Sequence, residues 1–348
     1  MTNTPKVSVI VPTYNRAAYL PATLDTLTSQ AFICGLKPAA RGSTEPTLVH
    51  GASSPLAGKG FGFEIIVVDD GSTDATCDAV TPYLGCDVSY ERMEHTGLPA
   101  PINRGLELAC GEYAMLANDH DLYAPETLAS LIEALDAHPS AVLTVSDVVL
   151  VTPDASREVA TYSFPYRGLV DGRQFLVEQL LPGIGSIAPH NMFRRDALMG
   201  EVLDATYGPS CDVELWLRLA SRGDVVHVPQ TLVRVRDRDE GSAHFQANHR
   251  LVEQALRAKR AYMPADMDHV SRRAIEAGWR RRVDRSAAVS LWRALEAGRV
   301  EEKGAVRELA RREGTRAGGL AVDALTRLPG PLSLALLRGA RRLWGEPR

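Results

Sequence analysis

The chain has little cysteine, and what it has is not organised. Its five cysteines (Cys34, Cys77, Cys86, Cys110 and Cys211) are odd in number and scattered, with no Cys-x-x-Cys pair. That excludes a disulfide framework or a zinc knuckle, and it is the usage of a reducing compartment, so a cytoplasmic location is expected. No apolar run approaches the roughly 18 residues that a membrane-spanning helix needs. The first one, Val7 to Val11, is too short for a signal-peptide core. Internal repeats are missing too, which excludes a solenoid or propeller. No glycine-rich loop follows the first apolar run, where the chain instead reads Pro12-Thr13-Tyr14-Asn15. This weighs against a sugar nucleotidyltransferase, which needs such a loop to cradle phosphates.

With 45% hydrophobic and 24% charged residues among 348, the composition is that of a globular protein large enough for a sizeable core. The net charge of −4 hides an asymmetry: residues 250–348 carry 22 Lys and Arg against 12 Asp and Glu, so the acidic excess lies entirely in residues 1–249. An acidic front half suits a metal-dependent site and would repel phosphate backbones, so a nucleic-acid partner is not expected. The basic tail taken alone suits an anionic membrane surface, nucleic acid or a solvated helical bundle.

Apolar patterning alternates strands with helices. Lys6 to Pro12 is a β-branched run ended by proline, as in a buried parallel strand. Ala17 to Gln30 has helical spacing of Tyr19, Leu20, Leu24 and Leu27. A second strand over 64–69 ends in Asp70-Gly71-Ser72-Thr73-Asp74, where Ser72 or Thr73 can cap a helix from about Ala75. A third strand over 88–92, a helix over 100–110 and a fourth strand over 113–116 lead to Asn118-Asp119-His120-Asp121. Helices over 125–138 and 168–181 flank a strand over 141–151, and from about 250 onward the chain is helical, with breaks near Pro264, Gly318-Gly319 and Pro329. Residues 31–63, rich in Gly, Pro, Ala and Ser, interrupt a connection that is normally a few residues long and read as a mobile insertion. Alternation of this kind predicts a doubly wound, mostly parallel α/β sheet, which places ligands outside the carboxyl ends of its strands. Three such ends carry Pro12 to Asn15, Asp69-Asp70 and Asp119-His120-Asp121.

These segments resemble the family 2 glycosyltransferases with the GT-A fold. The matching pieces are Val7 to Arg16, Ile65 to Asp74, Gly111-Glu112-Tyr113 with the acidic cluster and Pro125, and Asp212-x-x-Leu215-Trp216-Leu217-Arg218-Leu219 followed by Gly223 and Val228-Pro229. The frame around the acidic cluster is similar to that of the bacterial spore-coat polysaccharide transferase type. The resemblance implies a GT-A domain over 1–245, with a nucleotide-sugar half over 1–124 and an acceptor half over 125–245. A basic helical extension over 246–348 follows.

Roles are implied residue by residue. Pro12, Thr13, Tyr14, Asn15, Asp70, Asn103 and Asp119 fall at nucleotide-sugar-binding positions, with Tyr14 stacking on the base. Asp70 would accept the imide N–H of uracil or thymine, a contact that disfavours cytosine. The family's Asp-x-Asp-Asp metal element is here Asn118-Asp119-His120-Asp121, so Asp119, His120 and Asp121 are the candidate ligands for Mn²⁺ or Mg²⁺, and the imidazole favours Mn²⁺ mildly. Asp212 stands at the catalytic base, with Cys211 where an acidic neighbour is common; Glu214, if helical, points elsewhere. Arg234, Arg236 and Arg238 read either as a diphosphate clamp or as an exposed charged strand, with His244 further on. His190 and Asn191 lie in the acceptor half.

The reaction implied is inverting transfer of a sugar from a UDP- or dTDP-sugar to a hydroxyl acceptor, which could be a sugar, a lipid-linked sugar or a natural product. A degenerate nucleotide-sugar-binding protein of the same fold is the alternative. In the tail, Leu332, Leu334, Leu336, Leu337 and Trp344 beside Arg338, Arg341 and Arg342 suit peripheral contact with the inner face of a membrane, or docking against the catalytic domain or a second copy.

Overall fold

The structure, a computed structural model, describes residues 5–30, 62–85, 87–181, 191–236, 249–333 and 336–337. The expected insertion lies almost entirely outside these residues, as do Arg238, His244, His190, Leu334, Arg338, Arg341, Arg342 and Trp344. The chain divides into two compact units, one of residues 1–175 with 187–238 and one of residues 176–186 with 239–348.

The first unit is built on one ten-stranded mixed sheet. Strands β1 (Val7–Thr13), β2 (Phe63–Asp69), β3 (Val88–Arg92) and β4 (Tyr113–Leu116) lie in the order β3-β2-β1-β4, all parallel. Between them run α1 (Leu20–Thr28), α2 (Thr76–Val80) and α3 (Ala100–Leu108). The chain steps outward from β1 to β3 and then returns to the other edge of β1 with β4. That reversal is the switch point at which such sheets open a crevice at their carboxyl ends. β1 is central because it is apolar on both faces: Val7, Val9, Ile10 and Val11 are all fully buried, each contributing about 1.5–3 kcal/mol. Pro12 lies beyond the last residue of β1 paired with β4, so its missing N–H costs the sheet little. α3 packs tightly on this strand, because a Cβ at Gly105 would overlap the Ile10 side chain.

Beyond β4 the sheet continues through β9 (Met192–Arg194), β6 (Ala141–Val151), β10 (Asp224–Arg236) and β5 (Leu122–Tyr123), with β7 (Glu158–Tyr162) on β6 and β8 (Gly168–Val170) on β10. Here only β6 and β10 are parallel. The helix expected over 168–181 is instead β8 followed by α5 (Gly172–Leu180), because residues 168–170 pair with Val225 to His227. α4 (Thr127–Ala137) and α6 (Cys211–Ala220) complete the unit.

In the second unit, α7 (His249–Ala261), α8 (His269–Glu296), α9 (Lys303–Glu313) and α10 (Arg316–Arg327) follow one another. Ala287, Leu291, Val306, Ala310, Val322 and Leu337 form a core there. The break expected at Gly318-Gly319 falls earlier, at Gly314-Thr315. Thr315 caps α10 by accepting the Gly318 N–H, and Asp284 of α8 accepts the Thr315 hydroxyl at 2.6 Å. Gly318 is a close-contact residue and no helix breaker, since a Cβ there would overlap the Asp284 carboxylate. Among the described residues no helix is long and apolar enough to cross a membrane.

Candidate active site

The carboxyl ends of β1 and β2 are stitched together by the side chain of Asn15. Its backbone is left-handed, with φ 52°, a conformation that asparagine tolerates. Its Oδ1 accepts the Thr73 N–H at 2.7 Å, and its own N–H donates to Ser72 Oγ at 2.8 Å. Asn15 therefore shapes the turn. Neither Ser72 nor Thr73 caps the following helix; Asp74 Oδ1 accepts the Thr76 N–H instead. Thr13 is buried, and its hydroxyl has no hydrogen-bond partner among the described residues.

The two carboxylates that end β2 do different work. Asp69 is fully buried and faces inward, accepting the Ser72 N–H at 2.8 Å and the Tyr90 hydroxyl at 2.6 Å. Burial, with Asp69 adding to it, holds the Tyr90 phenol far above its usual range. Asp70 turns toward the segment after β3, where it accepts the Thr96 N–H at 2.9 Å and the Gly97 N–H at 2.8 Å. Gly71, at φ +77°, lets this turn close against the His95 backbone, which a Cβ would meet at 2.8 Å. His95 Nδ1 lies 2.8 Å from Asp70 Oδ2, and its ring stacks on that of Tyr14 with centroids 4.1 Å apart. Sequence patterning marks three strand ends and passes over this fourth one, although Met93-Glu94-His95-Thr96-Gly97 follows β3 directly.

Beyond β4 the acidic cluster is drawn together. His120 Nδ1 lies 2.9 Å from Asp119 Oδ1, and Arg16 Nε lies 3.7 Å from the same oxygen. Asp121 is fully buried, with Oδ2 accepting from Asn118 Nδ2 at 2.8 Å and Oδ1 from the Arg236 N–H at 3.0 Å. Its carboxylate thus anchors the end of β10 beside the cluster. Among the described residues no group of three or more His, Cys, Asp or Glu forms a metal cage. The guanidinium of Arg236 stands 5.7 Å from the Tyr19 ring centroid. Arg234 pairs with Glu158 at 2.9 Å on the exposed side. Arg234 thus fits the exposed-strand reading.

Asn103 does not reach toward the strand ends. Its amide makes a reciprocal pair with the backbone of Leu203, donating to the carbonyl at 2.9 Å and accepting the N–H at 2.7 Å. Asp212 sits in the first turn of α6, where its carboxylate complements the helix dipole and accepts the Val213 N–H at 2.8 Å. Desolvation pushes its carboxyl up to about 6. Burial also drives the neighbouring Cys211 thiol upward. Glu214 is buried against Arg218 at 3.2 Å. Asn191, beside β9, is buried.

A model of the family named glycosyl transferase family 2 matches residues 8–200, more than half of the chain. The chain belongs to glycosyl transferase family 2. Among its relatives is a PGL/p-HBAD biosynthesis glycosyltransferase of Mycobacterium bovis, 32% identical over 150 residues, which are 42% of this chain and 48% of that protein. The chain thus spans about half the length of such curated relatives. An uncharacterised glycosyltransferase of Rickettsia typhi is 24% identical over 261 residues, covering 71% of this chain and 69% of the relative. Among solved structures, Staphylococcus aureus TarS residues 1–349 in complex with UDP aligns over 99% of this family 2 chain and 93% of its own, with TM-score 0.51 and 18% identity. A Pyrobaculum calidifontis mannosyltransferase in complex with GDP-Man and Mn²⁺ aligns over 99% and 89%, with TM-score 0.51 and 17% identity. At these identities the likeness shows the fold: a GT-A glycosyltransferase architecture.

Proposed function

We propose that this family 2 chain is an inverting glycosyltransferase that moves a sugar from a UDP- or dTDP-sugar to a hydroxyl acceptor in a single displacement. The observation that carries this reading is the convergence at the sheet's switch point, where Tyr14, Asp70 and the Asp119-His120 pair occupy the carboxyl ends of β1, β2 and β4. Tyr14 offers a ring face for the base, Asp70 an acceptor for an imide N–H, and the buried Thr13 hydroxyl an uncommitted polar atom nearby. Binding of UDP and of GDP-Man by structures of the same fold supports a nucleoside-diphosphate sugar as donor.

Asp119 and His120 suit a divalent cation that takes its remaining ligands from a diphosphate, as Mg²⁺ and Mn²⁺ do. Asp121, whose Oδ1 lies 3.8 Å from His120 Nε2, completes the candidate set, and each of its oxygens keeps a lone pair beyond the one hydrogen bond that it accepts from the chain. Held there, Mn²⁺ or Mg²⁺ would offset the charge that develops on the leaving diphosphate. Asp212 removes the proton from the acceptor hydroxyl as that oxygen attacks the anomeric carbon, opposite the departing diphosphate. A carboxyl pushed up to about 6 is a stronger base than an ordinary aspartate and is still ionised at neutral pH. An acceptor half over residues 125–245 and a peripheral or oligomeric role for the helical region 246–348 are parts of the same proposal.

The test is a thermal-shift panel of UDP, dTDP, GDP and CDP with and without Mn²⁺, followed by release of nucleoside diphosphate from the preferred donor. Stabilisation of about 2.7 kcal/mol is expected at a hundredfold excess over Kd, with UDP and dTDP ahead of CDP. Binding without any turnover would leave a sugar-nucleotide-binding protein, and no binding by any of the four would remove the proposal.

A further inference from the structure

The segment after β3 brings His95 against the two residues that the proposed function gives to the base. Its imidazole lies flat on the Tyr14 ring, 4.1 Å between centroids and 16° between planes. Its Nδ1 lies 2.8 Å from Asp70 Oδ2 and 3.0 Å from the Asp70 carbonyl oxygen. Both neighbours only accept, so Nδ1 carries the proton and donates it. A flat ring on Tyr14 and a ring N–H on Asp70 are the same two contacts that a bound uracil or thymine would make. The Asp70 carboxylate is otherwise occupied by the N–H groups of Thr96 and Gly97, which leaves little room for a base beside all three donors.

We propose that His95 is an internal stand-in for the nucleobase, which a donor must displace from Tyr14 and Asp70 in order to bind. This rests on the reading that Tyr14 and Asp70 form the base site. The exchange is chemically balanced: an incoming imide restores both the stack and the hydrogen bond, and half of the His95 side chain is already in solvent, at 52% exposure. A base whose ring nitrogen only accepts, such as cytosine, restores the stack but leaves Asp70 one donor short. His95 therefore lowers the apparent affinity for every nucleotide by the fraction of time that it holds the slot. Asp70 then sets which base replaces it most completely.

Titration calorimetry of UDP and CDP into the full chain, the His95→Ala variant and the His95→Phe variant tests this. The alanine variant should bind both nucleotides tighter by a similar factor, roughly three- to thirtyfold for the loss of one stack and one hydrogen bond that solvent weakens at a half-exposed side chain. Its preference for UDP over CDP should match the parent's. The phenylalanine variant, which keeps a ring but no N–H, should gain less. Equal or weaker UDP binding by His95→Ala overturns the proposal, as does a larger gain in the phenylalanine variant. In either case a parent that still prefers UDP to CDP leaves the base site standing. A parent without that preference removes the base site and this proposal together.

Discussion

Replacing Asp212 with asparagine should make the protein more stable and the enzyme slower. The carboxylate's burial in the first turn of α6 pushes its pKa from 3.8 to about 6, so the folded state holds a proton that the unfolded chain releases. The sign follows: the folded state is favoured below about pH 4, where both states are protonated, and that advantage is lost as the pH rises through about 6. A displacement of about two units corresponds to roughly 3 kcal/mol at pH 7 and above, an upper figure because the side chain is not wholly shielded from water. The asparagine keeps the shape, including an acceptor for the Val213 N–H, without the charge. Thermal unfolding of parent and variant at pH 4 and pH 8 should therefore show no gain at the lower pH and several degrees of gain at the higher one. Turnover at saturating donor and acceptor should fall by a factor on the order of 10² to 10⁴, and the parent's rate should climb as the pH passes 6. Donor affinity should stay near the parent's. A variant with parental turnover and no pH-dependent gain in stability would refute both the base assignment and the desolvation argument behind it.

Asp119→Asn should weaken nucleotide binding in the presence of Mn²⁺ more than in its absence, read by calorimetry with and without the metal, whereas Asp212→Asn should not. Gly105→Ala should cost about 1–3 kcal/mol in denaturant unfolding, since the new methyl must displace the Ile10 side chain in the central strand. Leu291→Ala, in the core of the helical unit, should cost that unit about 2–5 kcal/mol, seen as loss of hydrogen-exchange protection in α8 to α10. Ending the chain near Gly319 removes Val322 and Leu337 from the same core, so the shortened protein should lose the cooperative unfolding of that unit.

Much of the first unit was legible because its signals are local. Strands β1, β2, β3 and β4 are runs of apolar residues ended by turns, and a strand buried on both faces needs nothing else to announce it. The acidic and aromatic residues after β1, β2 and β4 could be found for the same reason, since a parallel sheet gathers strand ends at one edge. The sequence alone thus determined an alternating α/β sheet and the set of acidic and aromatic residues gathered at its carboxyl edge. What it could not determine was which of those residues also bind distant parts of the chain. Asn15 and Asn103 carry amides that suit a ligand, yet their partners are backbone groups 58 and 100 residues away in the chain. Asp121 reads like Asp119 in the sequence, yet its carboxylate also accepts a hydrogen bond from β10, 115 residues on. The short strands β5, β8 and β9 escaped because two or three residues carry no readable periodicity and exist only where a long partner supplies the hydrogen bonds. His95 is the clearest case: only the tertiary structure decided that it lies on Tyr14 and Asp70, because stacking and a single N–H bond are set by the packing of three strand ends and not by any local pattern.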